Sequence, residues 1–165
     1  MDTYTEETFI SYVAQRMPSL MLEWAKPESY WYFLELLQEI QKENWFIGVF
    51  GRPLIMISMD EVEDARGSCQ RTDDPKKYAW IRLSRKNNGR NMLTFLHELA
   101  HAVEIIDPYV DPHGPRFRSN LSFLMTYVLG REVEEEYFRC AAMAMEQLER
   151  GVKTTTSSRR LMNSG

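Results

Sequence analysis

The sequence predicts an α+β fold in which several helices pack with a small antiparallel β-sheet. Apolar residues recur at helical spacing in three long segments, 30–44, 92–106 and 115–129. Between the first two of them, residues 45–59 and 78–84 are rich in branched and aromatic side chains, which is typical of strands. The chain has 165 residues, which is enough for one hydrophobic core.

Capping signals and apolar stripes together predict the helices. In chain order these are Thr5–Met17, Tyr30–Asn44, Met92–Ile106, Pro115–Leu129 and Glu132–Arg150. The first begins at a threonine that can cap a helix, with two glutamates in its first turn. The fourth begins at a proline and is followed by a glycine, which favours its ending there.

The predicted strands lie between the second and third helices. Residues 45–59 are expected to form one or two strands, 67–71 a short strand, and 78–84 a strand that leads to the third helix. Residues 153–165 are polar, and we expect them to form a flexible C-terminal tail. Residues 1–152 are therefore predicted to be a single domain.

Composition narrows the class of protein. A hydrophobic content of 44% with 12% aromatic residues is typical of a globular chain. No apolar run reaches about 18 residues, so we expect no membrane span. The acidic N-terminus lacks the apolar segment of a signal peptide. Two cysteines, Cys69 and Cys140, suit a reducing compartment, so we expect a cytoplasmic protein.

All three histidines of the chain, His97, His101 and His113, fall within one segment of 17 residues. His97 and His101 are four residues apart in a predicted helix, so both lie on one face and can point at the same ion. Asp107-Pro108 breaks that helix, and a short loop can return His113 to it. Catalytic zinc takes three protein ligands and keeps one open position. The segment therefore predicts a Zn²⁺ site made by these three histidines.

Glu98 completes a His-Glu-x-x-His pattern and is predicted to be the general base. In the expected reaction Glu98 takes a proton from zinc-bound water, which attacks a peptide carbonyl, and returns the proton to the leaving amine. Tyr109, Arg116 and Tyr127 are candidates for stabilising the oxyanion. Glu104 is expected to be a carboxylate at the rim of the site, and its alternatives are a hydrogen-bond acceptor for a ligand histidine or a metal ligand.

Residues 66–90 form a basic segment in a chain of net charge −4. They hold eight arginines and lysines against two aspartates, a balance of +6. Such a segment can face nucleic acid phosphates, and it can equally be a solvated surface of strand and loop. The basic segment therefore makes DNA a candidate partner without establishing it.

The motifs together resemble the SprT/Spartan family of zinc metalloproteases. The resemblance rests on His-Glu-x-x-His at 97–101 and His-Gly-x-x-Phe at 113–117, with weaker similarity in the Ala-x-Gly turn at 65–67 and the strand at 81–84. It covers roughly residues 54–124. It implies a zincin-like fold with the metal site on a central helix, and substrates that are proteins bound or crosslinked to DNA. The four-cysteine zinc ribbon common in that family is missing here.

Two alternatives remain open. In ImmA/IrrE-like and ArdC-like zincins, which act on repressors or in antirestriction, a glutamate on a later helix is the third ligand. Glu132, Glu135 or Glu136, followed by the small residues at 140–142, is similar to that arrangement. The other alternative is a metal-stabilised module that binds DNA or protein and cuts nothing.

Overall fold

A computed structural model describes residues 23–59, 62, 65–71, 78–86, 88–104 and 113–163. The predicted helix Thr5–Met17 lies outside the described residues, as do residues 72–77 and residues 105–112, which include the loop predicted before His113. Within the described part of the chain, no helix is both long and apolar enough to cross a bilayer.

The described chain is a mixed α+β structure, as predicted. In chain order its elements are α1 (Tyr30–Lys42), α2 (Asn44–Phe50), β1 (Leu54–Ser58), β2 (Gly67–Arg71), β3 (Tyr78–Leu83), α3 (Met92–Ala102), α4 (Pro115–Leu129) and α5 (Arg131–Asn163). The short strand β2 and the helix α4 begin and end at the residues predicted, and β3 ends one residue earlier than predicted.

The three strands form a mixed sheet in the order β1-β3-β2, and not the purely antiparallel sheet that was predicted. Strand β2 pairs with β3 antiparallel, with Cys69 opposite Ile81. Strand β1 pairs with β3 parallel, with Ile57 opposite the same Ile81. Successive strands reverse direction, but the third strand lies between the first two. It is therefore parallel to β1, which the alternation of side chains along a strand cannot reveal.

One face of the sheet is buried against α3, which lies at the centre of the molecule. The side chains on that face include Ile55, Ile57, Ala79, Ile81 and Leu83, all buried. Nearly every residue of α3 is buried as well, polar ones included. A helix buried on several sides is held in its rotation and position by its neighbours, which matters because it carries two of the histidines.

A short helix spans Asn44–Phe50, so the prediction of residues 45–50 as strand was wrong. Phe46 is fully buried, and its ring lies 5.1 Å from that of Phe50, four residues later. This i, i+4 pair stabilises a helical turn. The apolar composition of the segment alone suits a strand equally well. Gly51, at φ +73°, ends the helix with its N–H donating to the Ile47 carbonyl. Positive φ is a conformation that glycine adopts readily.

The last helix, α5, continues to Asn163, well past Arg150, where the sequence predicted its end. Gly151 costs a helix only about 1 kcal/mol relative to alanine, and no proline follows it to force a stop. Helical backbone thus extends through most of the segment predicted to be a tail. The flexibility of residues 153–165 stays a prediction.

Candidate metal centre

The start of α3 is held by a buried side chain. Asn91 is the N-cap residue, and its Oδ1 accepts a hydrogen bond of 2.9 Å from the Thr94 N–H. Its Nδ2 donates to the Asn88 carbonyl at 2.7 Å. Asn91 therefore joins the preceding turn to the helix and satisfies one of the N–H groups that helix starts leave unpaired. This places His97 and His101, which lie further along the same helix.

The three histidines meet, as the sequence predicts. One ring nitrogen from each of His97, His101 and His113 lies within 4.8 Å of the other two, which is close enough to bind one metal ion. Nε2 of His101 is 3.2 Å from Nε2 of His113. Two nitrogens bound tetrahedrally at about 2.0–2.1 Å from one ion stand about 3.3 Å apart, so this spacing suits shared ligation. It also suits a hydrogen bond between one protonated and one unprotonated ring.

The aromatic ring of Phe117 contacts all three imidazoles. Its centroid lies 4.3 Å from that of His101, 4.9 Å from that of His97 and 5.1 Å from that of His113. Phe117 is buried in the first turn of α4, which begins at Pro115 directly after the buried Gly114. The N-terminal end of α4 thus places an apolar wall against the cluster, and the third histidine lies just before it.

Glu98 is buried beside the cluster without belonging to it. The side chain is 5% exposed and His97 is 8% exposed, whereas His101 and His113 are only half-buried. Among the described residues, the carboxylate of Glu98 is not part of the group whose ligand atoms lie mutually within 4.8 Å. Glu98 therefore lies next to the group of three histidines and outside it.

Glu104 is also buried, at 9% exposure, so its prediction as a rim carboxylate was wrong. Helix α3 ends at Ala102, four residues earlier than predicted, and the Glu104 N–H donates to the His101 carbonyl at 3.2 Å. In the described part of the chain, Glu104 does not join the histidine cluster.

No glutamate at the start of α5 belongs to the described cluster. Glu132 and Glu135 are exposed, and Glu135 pairs with Arg131 at 3.0 Å. Glu136 forms an ion pair with Arg139 one turn along the helix. The hydrogen bond from Arg139 holds the pKa of Glu136 below its usual value. Glu135 and Glu136 thus make local pairs on α5, and the third member of the described cluster is His113.

The three residues predicted as candidates for stabilising the oxyanion differ in where they lie relative to the histidines. Tyr127 is 54% exposed and stacks on Trp45 with centroids 4.8 Å apart. It lies ten residues beyond Phe117, about 15 Å along α4, which removes it from the centre. Arg116 is exposed and adjacent in sequence to Phe117, so it remains a candidate. Tyr109 lies outside the described residues.

Part of the basic segment is engaged within the protein. Arg82 donates to Gln70 across the β2–β3 pair at 3.2 Å, and Arg90 donates to a main-chain carbonyl of β3 at 3.1 Å. Arg85 and Lys86 are exposed in the turn after β3. Among the bases of this segment whose burial is described, Arg66, Arg82 and Arg90 are half-buried, and only Arg85 and Lys86 are exposed.

Sequence reasoning missed three residues that shape the centre. Asn91 carried a readable signal, since asparagine immediately before an apolar helical run is a common N-cap. Phe117 was predicted to face inward and to belong to the His-Gly-x-x-Phe motif, but its contact with all three imidazoles was not predicted. Nothing in the sequence shows that Gly67 of β2 lies against Glu98.

No protein-family model, curated protein or solved structure matches this chain. What the chain does is therefore inferred from the centre itself.

Proposed function

We propose that this chain is a zinc-dependent metallopeptidase of the SprT-like type, built on a zincin-like fold. The observation that carries the proposal is the meeting of three histidine side chains, from α3 and the residues just before α4, beside the buried carboxylate of Glu98. Three protein ligands with a nearby general base are what a hydrolytic zinc site requires.

The donor set fits zinc. Imidazole nitrogen is a common zinc ligand, and three of them leave the fourth tetrahedral position for solvent or substrate. Imidazoles also suit copper, iron and nickel, so the donors alone do not select the metal. The adjacent carboxylate favours zinc, because its proton-transfer role belongs to hydrolysis and needs no redox change. His97, His101 and His113 would hold the ion.

The chain's own residues then have distinct tasks. Zinc bound at this site would act as a Lewis acid and make a coordinated water more acidic. Glu98 accepts a proton from the attacking water and delivers it to the nitrogen of the leaving amine. Phe117 excludes water from one side of the three rings and limits their movement. Arg116 is the described candidate for the developing oxyanion.

Strand β2 provides a place for an extended substrate. It forms one edge of the three-stranded sheet and packs against α3, with Gly67 close to Glu98. An extended peptide that adds to such an edge makes main-chain hydrogen bonds, which place it without demanding a particular side-chain sequence. A peptide bond carried along β2 would pass beside the proposed base.

DNA-associated proteins in the cytoplasm are the proposed substrates. The support is the basic segment, of which Arg85 and Lys86 are exposed after β3. Positive side chains near a cleft concentrate phosphate-bearing partners around it. A protein held on DNA would thereby be brought to the protease.

Replacing the proposed base tests the enzyme directly. Glu98→Gln should keep the zinc content and folding of the wild type while its cleavage of an unfolded protein substrate falls by about 10²–10⁴-fold. Metal content and circular dichroism serve as controls. Equal cleavage by both proteins would refute the assigned base. A metal-loaded wild type that cuts neither unfolded nor DNA-bound protein would instead favour the non-catalytic binding module.

A further inference from the structure

Gly67, the first residue of β2, lies where the edge strand comes closest to α3. A Cβ atom at this position would stand 2.9 Å from Cγ2 of Thr94, 3.0 Å from the Arg82 carbonyl oxygen and 3.1 Å from Cγ of Glu98. These distances are shorter than ordinary van der Waals contact, so any side chain would force a neighbour to move. Only glycine lets β2 lie this near to the helix.

The three neighbours differ in how easily they move. The Arg82 carbonyl belongs to the main chain of β3, the central strand, which is paired on both sides. Thr94 is buried, is branched at Cβ, and has its N–H held by Asn91. Glu98 can rotate about its first side-chain torsion and move its Cγ without moving the main chain. An added methyl group would therefore press on both the Thr94 methyl and the Glu98 side chain, and of these two Glu98 is the one that we expect to reorient.

We propose that Gly67 is a positioning residue: by allowing β2 to approach α3, it sets the conformation of the Glu98 side chain. The catalytic consequence rests on the proposed function, in which Glu98 is the general base. The packing of Gly67 against Glu98 does not rest on the proposed function, because the two residues are in contact whatever reaction the site performs. Two experiments separate the packing from the catalysis.

The packing is tested by a double-mutant cycle in urea unfolding, on purified protein at matched metal content. Gly67→Ala should lower the unfolding midpoint in the wild-type background. In the Glu98→Ala background, which lacks the crowded Cγ, the same change should lower it by less, although the contacts with Thr94 and the Arg82 carbonyl remain. Equal decreases in the two backgrounds would show that residue 67 does not press on Glu98, and would overturn the proposal.

The catalytic consequence is tested by steady-state kinetics with a rescue. Gly67→Ala should lower kcat by about 10–100-fold with little change in KM or zinc content, because a misplaced base weakens only the transition state. Adding Thr94→Ser removes the methyl at 2.9 Å and should restore much of the original kcat. Gly48→Ala is the matched control, since a Cβ there meets nothing within 4 Å.

The outcomes are distinguishable. If Gly67→Ala keeps wild-type kcat while Glu98→Gln loses it, the positioning role is wrong and the proposed function stands. If the wild type cuts no protein at all, the proposed function fails, and the unfolding cycle still decides whether Gly67 controls Glu98.

Discussion

Phe117 stacks on His101, with ring centroids 4.3 Å apart and planes inclined by 25°. The two residues come from different helices, so their stacking ties the N-terminus of α4 to α3. The same phenyl ring touches the other two imidazoles. An apolar ring that packs against all three proposed ligands restricts their rotamers before any metal arrives, which reduces the ordering cost of binding.

Truncating Phe117 should therefore weaken metal binding as well as folding. We expect Phe117→Ala to lower metal affinity by about 10–100-fold and stability by about 3–5 kcal/mol, as truncations around metal ligands and in cores do. Competition with a chromophoric chelator measures the first, and urea unfolding the second. Phe123→Ala, on the same helix within the aromatic cluster of Trp45 and Tyr127, is the control. Similar metal affinities for the two variants would contradict a role in holding the ligands.

His113→Ala should abolish stoichiometric zinc binding, because two imidazoles hold zinc far less tightly than three. Glu136→Gln should leave it unchanged, since Glu136 is engaged by Arg139 on its own helix. Metal analysis after gel filtration checks both. A reversed result would support the glutamate-ligand alternative. Circular dichroism must accompany the measurement, because metal binding can also contribute to folding.

Asn91→Ala should cost about 1–2 kcal/mol of stability, since it removes the cap of α3 and leaves buried groups unsatisfied. It should also weaken metal binding, because α3 carries two of the ligands. Ser29→Ala removes a comparable but exposed cap from α1, where Ser29 accepts from the Tyr32 N–H at 3.1 Å. That variant should lower stability alone. Unchanged metal affinity in Asn91→Ala would show that the cap does not act on the centre.

Reversing two exposed charges tests the DNA proposal. The double variant Arg85→Glu, Lys86→Glu should bind double-stranded DNA more weakly and with a shallower salt dependence, by about 0.9 in log–log slope for each phosphate that the protein no longer neutralises. Arg131→Glu, Arg139→Glu changes the net charge equally on α5 and should bind almost as the wild type does. Fluorescence anisotropy over a salt series measures both. Equal DNA binding by the two double variants would show that Arg85 and Lys86 of the basic segment do not contact DNA.

Local spacing made much of the centre predictable. His97 and His101 share a helix face at any tertiary arrangement, because four residues are close to one turn. The proline at 115 and the glycine at 130 bound α4 through their own conformational limits. The burial of individual polar side chains was harder to predict from the sequence. Glu104 was expected at the rim, but its side chain is buried.

By itself, the sequence determined which side chains have the chemistry to bind a metal and where most of the helices and strands lie. Hydrophobic periodicity and the signals at helix ends act over a few residues, so they can be read locally. Only the tertiary structure decided that β3 lies between β1 and β2, that residues 44–50 are helical, and that Gly67 abuts Glu98. Such relationships depend on how distant segments fill the same space. Close packing selects among the arrangements that local patterns leave open.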